Sequence, residues 1–274
     1  PLMKPIVVPV VSAPRAGNLN TIMALTPAQI DRYSRHLLLR EIGGQGQQKL
    51  AAARILVVGA GGLGSPALLY LTAAGIGTLG IVDHDKVALS NLQRQIVHQT
   101  DSVGTSKTQS AARQLRALNS DSDLYLYTER LTEDNAHAIL SDYDLVIDGV
   151  DNFATRFILN RTAIATQTPL VSAAVGRFEG QLATFKPWEQ PGILPCYQCL
   201  VPTEPPRDSQ INCDEDGVIG ALTGVVGSLA AMEALKETLG IGESLAGRLM
   251  IYDGLAAQCR TVKLPADPHC SACG

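Results

Sequence analysis

Aromatic residues are scarce in this 274-residue chain, at 4%, beside 46% apolar and 18% charged residues; this is a globular composition, long enough to bury a sizeable core. A surplus of positive charge is also missing. With 22 basic against 26 acidic residues the net charge is −4, so no electrostatic case for nucleic-acid binding arises. No apolar run is long enough for a bilayer. The uncharged stretch GVIGALTGVVGSLAAM at 217–232 falls short of the roughly 20 residues a span needs, and Glu233, Lys236 and Glu237 follow it at once. It reads as a buried, glycine-packed helix. Near the start, IVVPVV is broken by Pro9 and runs into the loop-like SAPRAGNLN, so no secretory h-region is visible. These absences point to a cytoplasmic protein with neither membrane nor nucleic-acid partner. Residues 1–25 are expected to form a flexible arm, with Met23 a candidate natural start. Six cysteines stand at 196, 199, 213, 259, 270 and 273, two pairs of them as CxxC. Without a secretion signal, metal ligation is the better reading than disulfides.

Elements follow from periodicity. Thr26-Pro27-Ala28-Gln29 is a capping box with proline at the first helical position. It opens a helix reading QIDRYSRHLLLR, ended by Gly43-Gly44, with a short helix expected around Gln47 to Ala52. RILVVG (54–59), TLGIVD (78–83), DLVIDG (144–149) and PLVSAAV (169–175) are apolar runs of the kind buried parallel strands show, and LYLYTER (124–130) alternates like a strand. Helices are expected over 65–74, 104–119 and from a Thr132 cap to Leu140. This regular alternation predicts an α/β fold, a doubly wound and mainly parallel sheet. After Val175 the pattern changes. RFEGQLATFKP (177–187) reads as an antiparallel strand or hairpin, 187–216 as a long functional loop, 218–239 as a helix, and 248–253 and 258–264 as further strands. A single unit over 26–274 is expected, with a nucleotide-binding part at 54–175 and a second part at 176–274.

Gly59-Ala60-Gly61-Gly62-Leu63-Gly64 satisfies GxGxxG between a strand and a helix, where glycines let backbone approach phosphate and the helix N-terminus offers free N–H groups. Asp83, 19 residues after Gly64 at a strand end, suits ribose hydroxyls. Next comes Ser90-Asn91-Leu92-Gln93-Arg94-Gln95. Arg94 carries a planar fork of donors for phosphate, Asn91 an amide, and Lys107 a point charge at the start of the following helix. A dehydrogenase needs none of these three. Asp151, just past the fourth strand, could hold Mg²⁺ on phosphate oxygens, while Asn152 or Asp151 could instead cap the next helix and Asp148 bind loop amides. Cys196, Cys199, Cys270 and Cys273 could supply the four thiolates of a closed, structural zinc site, with a redox CxxC as the rival reading. Cys213, in NCDEDGVIG, stands unpaired, and Cys259 reads as a core residue of its strand. The histidines at 36, 84, 98, 137 and 269 show no metal or triad spacing and receive no role.

Over residues 26–274 the chain resembles the MoeB/ThiF family of ubiquitin-activating-type adenylyltransferases. The resemblance rests on RYSRH (32–36), GAGGLGSPALLYL, DHDKVALSNLQRQ, GTSK (104–107), DNFATR (151–156), PCYQC (195–199) and the final CSACG. It implies a Rossmann-like fold and a substrate, the C-terminal Gly-Gly carboxylate of a small ubiquitin-like sulfur-carrier protein. That carboxylate attacks the α-phosphate of Mg-ATP and releases pyrophosphate; sulfur later displaces AMP. By the same resemblance Gly59, Gly61, Gly62 and Gly64 form the phosphate loop, and Asp83 meets ribose. Ser90, Asn91, Arg94, Lys107 and Asn152 line the nucleotide, and Asp151 organises Mg²⁺. Arg35 resembles an arginine that reaches a neighbouring subunit's site in a homodimer, and Cys213 matches a cysteine that some members link covalently to the carrier and others can spare. The zinc is structural, residues 176–274 are the carrier-binding and zinc part, and sulfur is expected from a separate donor protein. Molybdopterin synthesis, thiamine synthesis and tRNA thiolation all use such activators. The rival readings are a nicotinamide-dependent oxidoreductase, which leaves Arg94, Lys107 and the cysteine pairs idle, and a non-catalytic homologue.

Overall fold

The computed structural model describes residues 24–205 and 217–274. Cys213 and the arm reading of residues 1–23 lie outside them. The elements run Pro27–Arg32 (α1), Ser34–Leu37 (α2), Gly43–Ala52 (α3), Arg54–Val58 (β1), Gly64–Ala74 (α4), Thr78–Val82 (β2), Lys107–Leu118 (α5), Asp123–Tyr127 (β3), Glu133–Leu140 (α6), Leu145–Asp148 (β4), Phe153–Thr166 (α7), Leu170–Gly176 (β5), Glu179–Phe185 (β6), Tyr197–Leu200 (α8), Gly220–Leu239 (α9), Arg248–Asp253 (β7) and Gln258–Lys263 (β8). One eight-stranded sheet has the order β3-β2-β1-β4-β5-β6-β7-β8. The pairs from β3 to β5 are parallel, and β6, β7 and β8 add on antiparallel. The expected doubly wound sheet with antiparallel C-terminal strands is therefore present.

The continuous apolar strands are explained by burial on both faces. Ile55 and Val57 of β1 join one core, with Leu68 and Leu71 of α4, Leu115 of α5 and Val226 and Ala230 of α9. Leu56 and Val58 join the opposite core, with Leu140 of α6 and Phe157 and Leu159 of α7. The same alternation holds in β4, where Leu145 and Ile147 face the first core and Val146 the second. The uncharged stretch forms most of α9, which packs on α4, β5 and β6. Its small residues set the approach: a Cβ on Gly227 would strike the Leu63 carbonyl, and Val226 occupies the space beside Gly180. Among the described residues no helix is long and apolar enough to cross a membrane.

Three expectations fail locally. The helix from Pro27 breaks at Tyr33 (φ −97°, ψ 13°) into α1 and α2. Tyr33 turns inward, where its hydroxyl accepts from Asn119 Nδ2 at 2.8 Å and its ring covers Gly75. That anchor outweighs the helical propensity of the run. The next helix starts at Gly43 instead of Gln47, because Gly46 is a packing residue pressed between Ile42 and Leu239. Cys259 is not in the core. It is exposed on β8, the sheet's outer edge, where all six residues are exposed. An apolar strand pattern cannot tell a central strand from an edge that nothing covers.

Candidate active site

In the order 3-2-1-4-5 the chain leaves β1 toward α4 on one face and β4 toward α7 on the other. The two connections diverge at the carboxyl ends of neighbouring strands, which opens a crevice where ligands of such sheets bind. A cavity of about 390 Å³ lies there. Gly59, with φ +94°, turns the chain out of β1, and a Cβ on it would sit 2.8 Å from the Gly149 carbonyl. Gly64 abuts the Gly59 carbonyl. These two glycines close the turn, and Gly59, Gly61 and Gly62 line the cavity itself. Gly62 is also held against Thr223 of α9, whose Cγ2 lies 3.1 Å from the position of a Cβ.

Asp83, buried at the end of β2, braces the loop: Ala60 N–H donates to its Oδ2 and Asp85 N–H to its Oδ1, each at 2.9 Å. Lys107, the first residue of α5, is buried with its Nζ 2.9 Å from Asp85 and 3.9 Å from Asp83. Burial raises the Asp85 carboxyl, but the Lys107 hydrogen bond and charge outweigh it and hold the group below the ordinary aspartate range. The Asp83, His84 and Asp85 ligand atoms lie within 4.8 Å of one another, and the ammonium of Lys107 already serves as the cation for the two carboxylates. Arg94 lines the cavity from the following turn, with Nη1 donating to Ser90 O at 3.1 Å. Ser90 and Asn91 lie outside the lining, and Asn91 Oδ1 accepts from Ala88 N–H at 3.0 Å, so they shape the turn that carries Arg94.

Across the crevice Asp148 is buried at the end of β4, as expected of a structural carboxylate. It accepts from Arg156 at 3.2 Å, from Ser172 at 2.7 Å and from Val150 N–H at 3.1 Å. Asn152 caps α7 through Thr155 N–H at 2.9 Å while lining the cavity. Its neighbour Asp151 is exposed on the cavity wall, and its carboxylate has no hydrogen-bond or ion-pair partner among the described residues. Arg35 is exposed on α2 and is not part of this lining.

Beyond the far wall the two CxxC pairs meet. All four sulfurs lie within 4.8 Å of one another, with Cys196 to Cys270 and Cys199 to Cys273 each at 3.6 Å. A tetrahedral zinc with sulfurs at about 2.3 Å requires sulfur–sulfur edges of about 3.8 Å, so the donor set fits that ion. Asp267 N–H points at Cys199 Sγ at 3.4 Å, and Asn160 Nδ2 approaches Cys196 Sγ at 3.6 Å. Tyr197, between the first two cysteines, packs edge-on to Phe157 and Phe185 and lines the cavity.

The ThiF family profile matches residues 33–272. The chain belongs to the ThiF family. A sulfur carrier protein adenylyltransferase of Thermus thermophilus is 46% identical over 253 residues, covering 92% of this chain and 93% of that one. An adenylyltransferase and sulfurtransferase MOCS3 of Anopheles gambiae is 47% identical over 255 residues, and the match spans 93% of this chain but 57% of that protein. A probable adenylyltransferase/sulfurtransferase MoeZ of Mycobacterium tuberculosis is 46% identical, over 89% of this chain and 62% of its own length. The crystal structure of E. coli MccB with ATP superposes with a TM-score of 0.75 at 22% identity, over 89% of this chain and 74% of that one, which shows a shared fold.

In this ThiF-family protein one crevice gathers the loop glycines Gly59, Gly61 and Gly62, the cations Arg94, Lys107, Arg130 and Arg156, and the carboxylate of Asp151, a set suited to a phosphate ligand and an accompanying cation. Several lining residues received no role from the sequence. Arg156, which ends the DNFATR motif, clamps Asp148, Val150 O at 2.6 Å and Ala173 O at 2.8 Å. Arg130 and His84, 2.9 Å apart, flank the Asp83 end of the cavity, and Thr223 comes from 161 residues beyond Gly62, the loop residue it abuts. His98, whose spacing gives it no role, lies buried against the loop with its Nε2 2.9 Å from Ala60 O.

Proposed function

We propose that this chain adenylates the C-terminal Gly-Gly carboxylate of a small ubiquitin-like sulfur-carrier protein. The observation that carries the reading is the convergence of Gly61, Gly62, Arg94, Lys107 and Asp151 on one crevice at the switch point of a ThiF-family sheet. Attack of a carboxylate on the α-phosphorus of ATP brings one anion onto another, so the site must supply positive charge more than acid–base groups. The nucleophile is ionised at neutral pH and needs no general base. In this reading the Gly61 and Gly62 backbone receives the phosphates. Lys107, poised on Asp83 and Asp85, and Arg94, on its turn, neutralise them as the P–O bond to pyrophosphate breaks. Asp83 stands at the ribose end, and the Asn91 amide and Ser90 belong to the triphosphate turn. Asp151, a carboxylate with no partner of its own, would hold Mg²⁺, which would offset phosphate charge.

The four clustered cysteines are assigned to a structural Zn²⁺, and residues 176–274 to carrier binding, since the cavity wall and the cysteine knuckle share Tyr197. Because those cysteines are committed to one another, we assign the sulfur that displaces AMP to a separate donor protein. Arg35, exposed on α2, is assigned to the second subunit's site in a homodimer. Cys213 is assigned to covalent linkage with the carrier. Four thiols held ready for metal suit the reducing cytoplasm.

The test is carrier-dependent exchange of pyrophosphate into ATP. Arg94→Ala should lower the exchange rate by about 10²–10³-fold, the scale of one lost transition-state donor. Asp151→Ala should abolish exchange with the fold intact by circular dichroism. Wild-type rates in both variants, or no exchange with any Gly-Gly carrier, would remove the proposal.

A further inference from the structure

His98 is buried between the phosphate loop and α5, with one hydrogen bond in each direction. Its Nε2 lies 2.9 Å from the Ala60 carbonyl, and its Nδ1 2.9 Å from Ser110 Oγ. A carbonyl can only accept, so Nε2 carries the proton and donates; the neutral ring then accepts the Ser110 hydroxyl at Nδ1. Ser110 stands one helical turn after Lys107, so the imidazole is a strut from the loop to the helix that carries the cation.

The bonded carbonyl matters because of what shares its peptide plane. Ala60 C=O and Gly61 N–H belong to one trans peptide, and in a trans peptide the two bonds point in opposite directions. Holding the oxygen inward turns the Gly61 N–H outward. Gly61 lines the cavity, and its N–H meets no acceptor among the described residues. The preceding peptide is held as well, through Ala60 N–H on Asp83. Glycine on either side of Ala60 offers little steric resistance to a peptide flip, so the orientation depends on these two bonds.

We propose that His98 is a positioning residue of the nucleotide site, which aims the Gly61 N–H at the polyphosphate and fixes that donor relative to Lys107. The inference rests on the crevice being the ATP site. Its test uses the 274-residue protein without carrier, measuring by calorimetry the affinity for Mg-ATP and for adenosine, which lacks phosphate. His98→Phe fills the volume without a donor and should weaken ATP about tenfold, the scale of one misdirected charge-assisted hydrogen bond, while adenosine binds as before. His98→Gln, whose amide offers a donor and an acceptor, should restore most of the loss. Ser110→Ala removes only the far end of the strut and should weaken ATP about threefold; it carries the test if His98→Phe does not fold. Unchanged ATP affinity in the variants, or an equal loss for ATP and adenosine, would overturn the positioning role. Failure of the wild type to bind ATP at all would overturn the ATP reading and this inference with it.

Discussion

Single side chains in this site are legible in the sequence when their chemistry is local and illegible when their partner is remote. Arg94, Lys107 and Asp151 stand out because cations and a carboxylate follow a glycine loop, and the crevice does bring them together. Asn91 carries the same chemical promise, yet its carbonyl oxygen is spent on Ala88 N–H. His98 carries none, since its meaning lies in Ala60 and Ser110, 38 and 12 residues away. Its titration gives a prediction at this scale. Burial holds His98 below the ordinary histidine range, Lys107 pushes it the same way, and the Ala60 bond and Asp83 oppose. A folded-state value below the unfolded one means the unfolded chain takes up the proton first. The stability this group protects is complete above about pH 6.5 and is lost as pH falls from there toward the folded value. Thermal unfolding of wild type and His98→Gln should therefore converge on acidification from about pH 7.5 to 5.5, with wild type falling further; parallel curves would assign the acid sensitivity elsewhere.

Secondary-structure elements are legible in the sequence where one strand has two buried faces. β1, β2, β4 and β5 fall within a residue or two of their apolar runs, and the glycines after β1 mark the turn into α4. Failure came where a distant contact decides, as when Asn119 and Gly75 draw in Tyr33 and split α1 from α2. The placement of α9 shows both sides. Its apolar, glycine-rich composition announces a packed helix, but nothing local says that Gly227 meets the Leu63 carbonyl and Thr223 meets Gly62. These contacts press one helix directly against the phosphate loop. A methyl at 227 has backbone in its way, with no flexible side chain to yield. Gly227→Ala should cost about 1–3 kcal/mol in urea unfolding, the range for overpacking a tight interface, and should also weaken ATP. Gly224 is the control, because a Cβ there meets nothing within 4 Å. Gly224→Ala should be neutral or stabilising by up to about 1 kcal/mol, since alanine has the higher helix propensity.

At the scale of the whole molecule the cysteine cluster joins two distant stretches. Cys196 and Cys199 flank the start of α8, Cys270 and Cys273 lie beyond β8, and the chain between them passes through α9, β7 and β8. Spacing alone showed two knuckles; only the fold shows that they meet, because antiparallel β7 and β8 return the chain to the side of the sheet where α7 supplies Asn160. A zinc held there binds the folded state and adds its binding energy to folding. It would also brace the wall that Tyr197 shares with the cavity. Metal analysis should find one zinc per chain, lost in Cys273→Ser or after a strong chelator. Thermal unfolding should then fall by at least about 5 °C, since 1 kcal/mol is worth about 2–4 °C in a domain of this size. The two halves of the crevice should respond unequally. Lys107 and the phosphate loop are anchored through β1, β2 and α5, away from the metal, so the KM for ATP should move little. Tyr197 lies between Cys196 and Cys199, so loss of a zinc held there would loosen this wall and the KM for carrier should rise several-fold. A loss confined to ATP would mean that the cysteine cluster supports the nucleotide end instead.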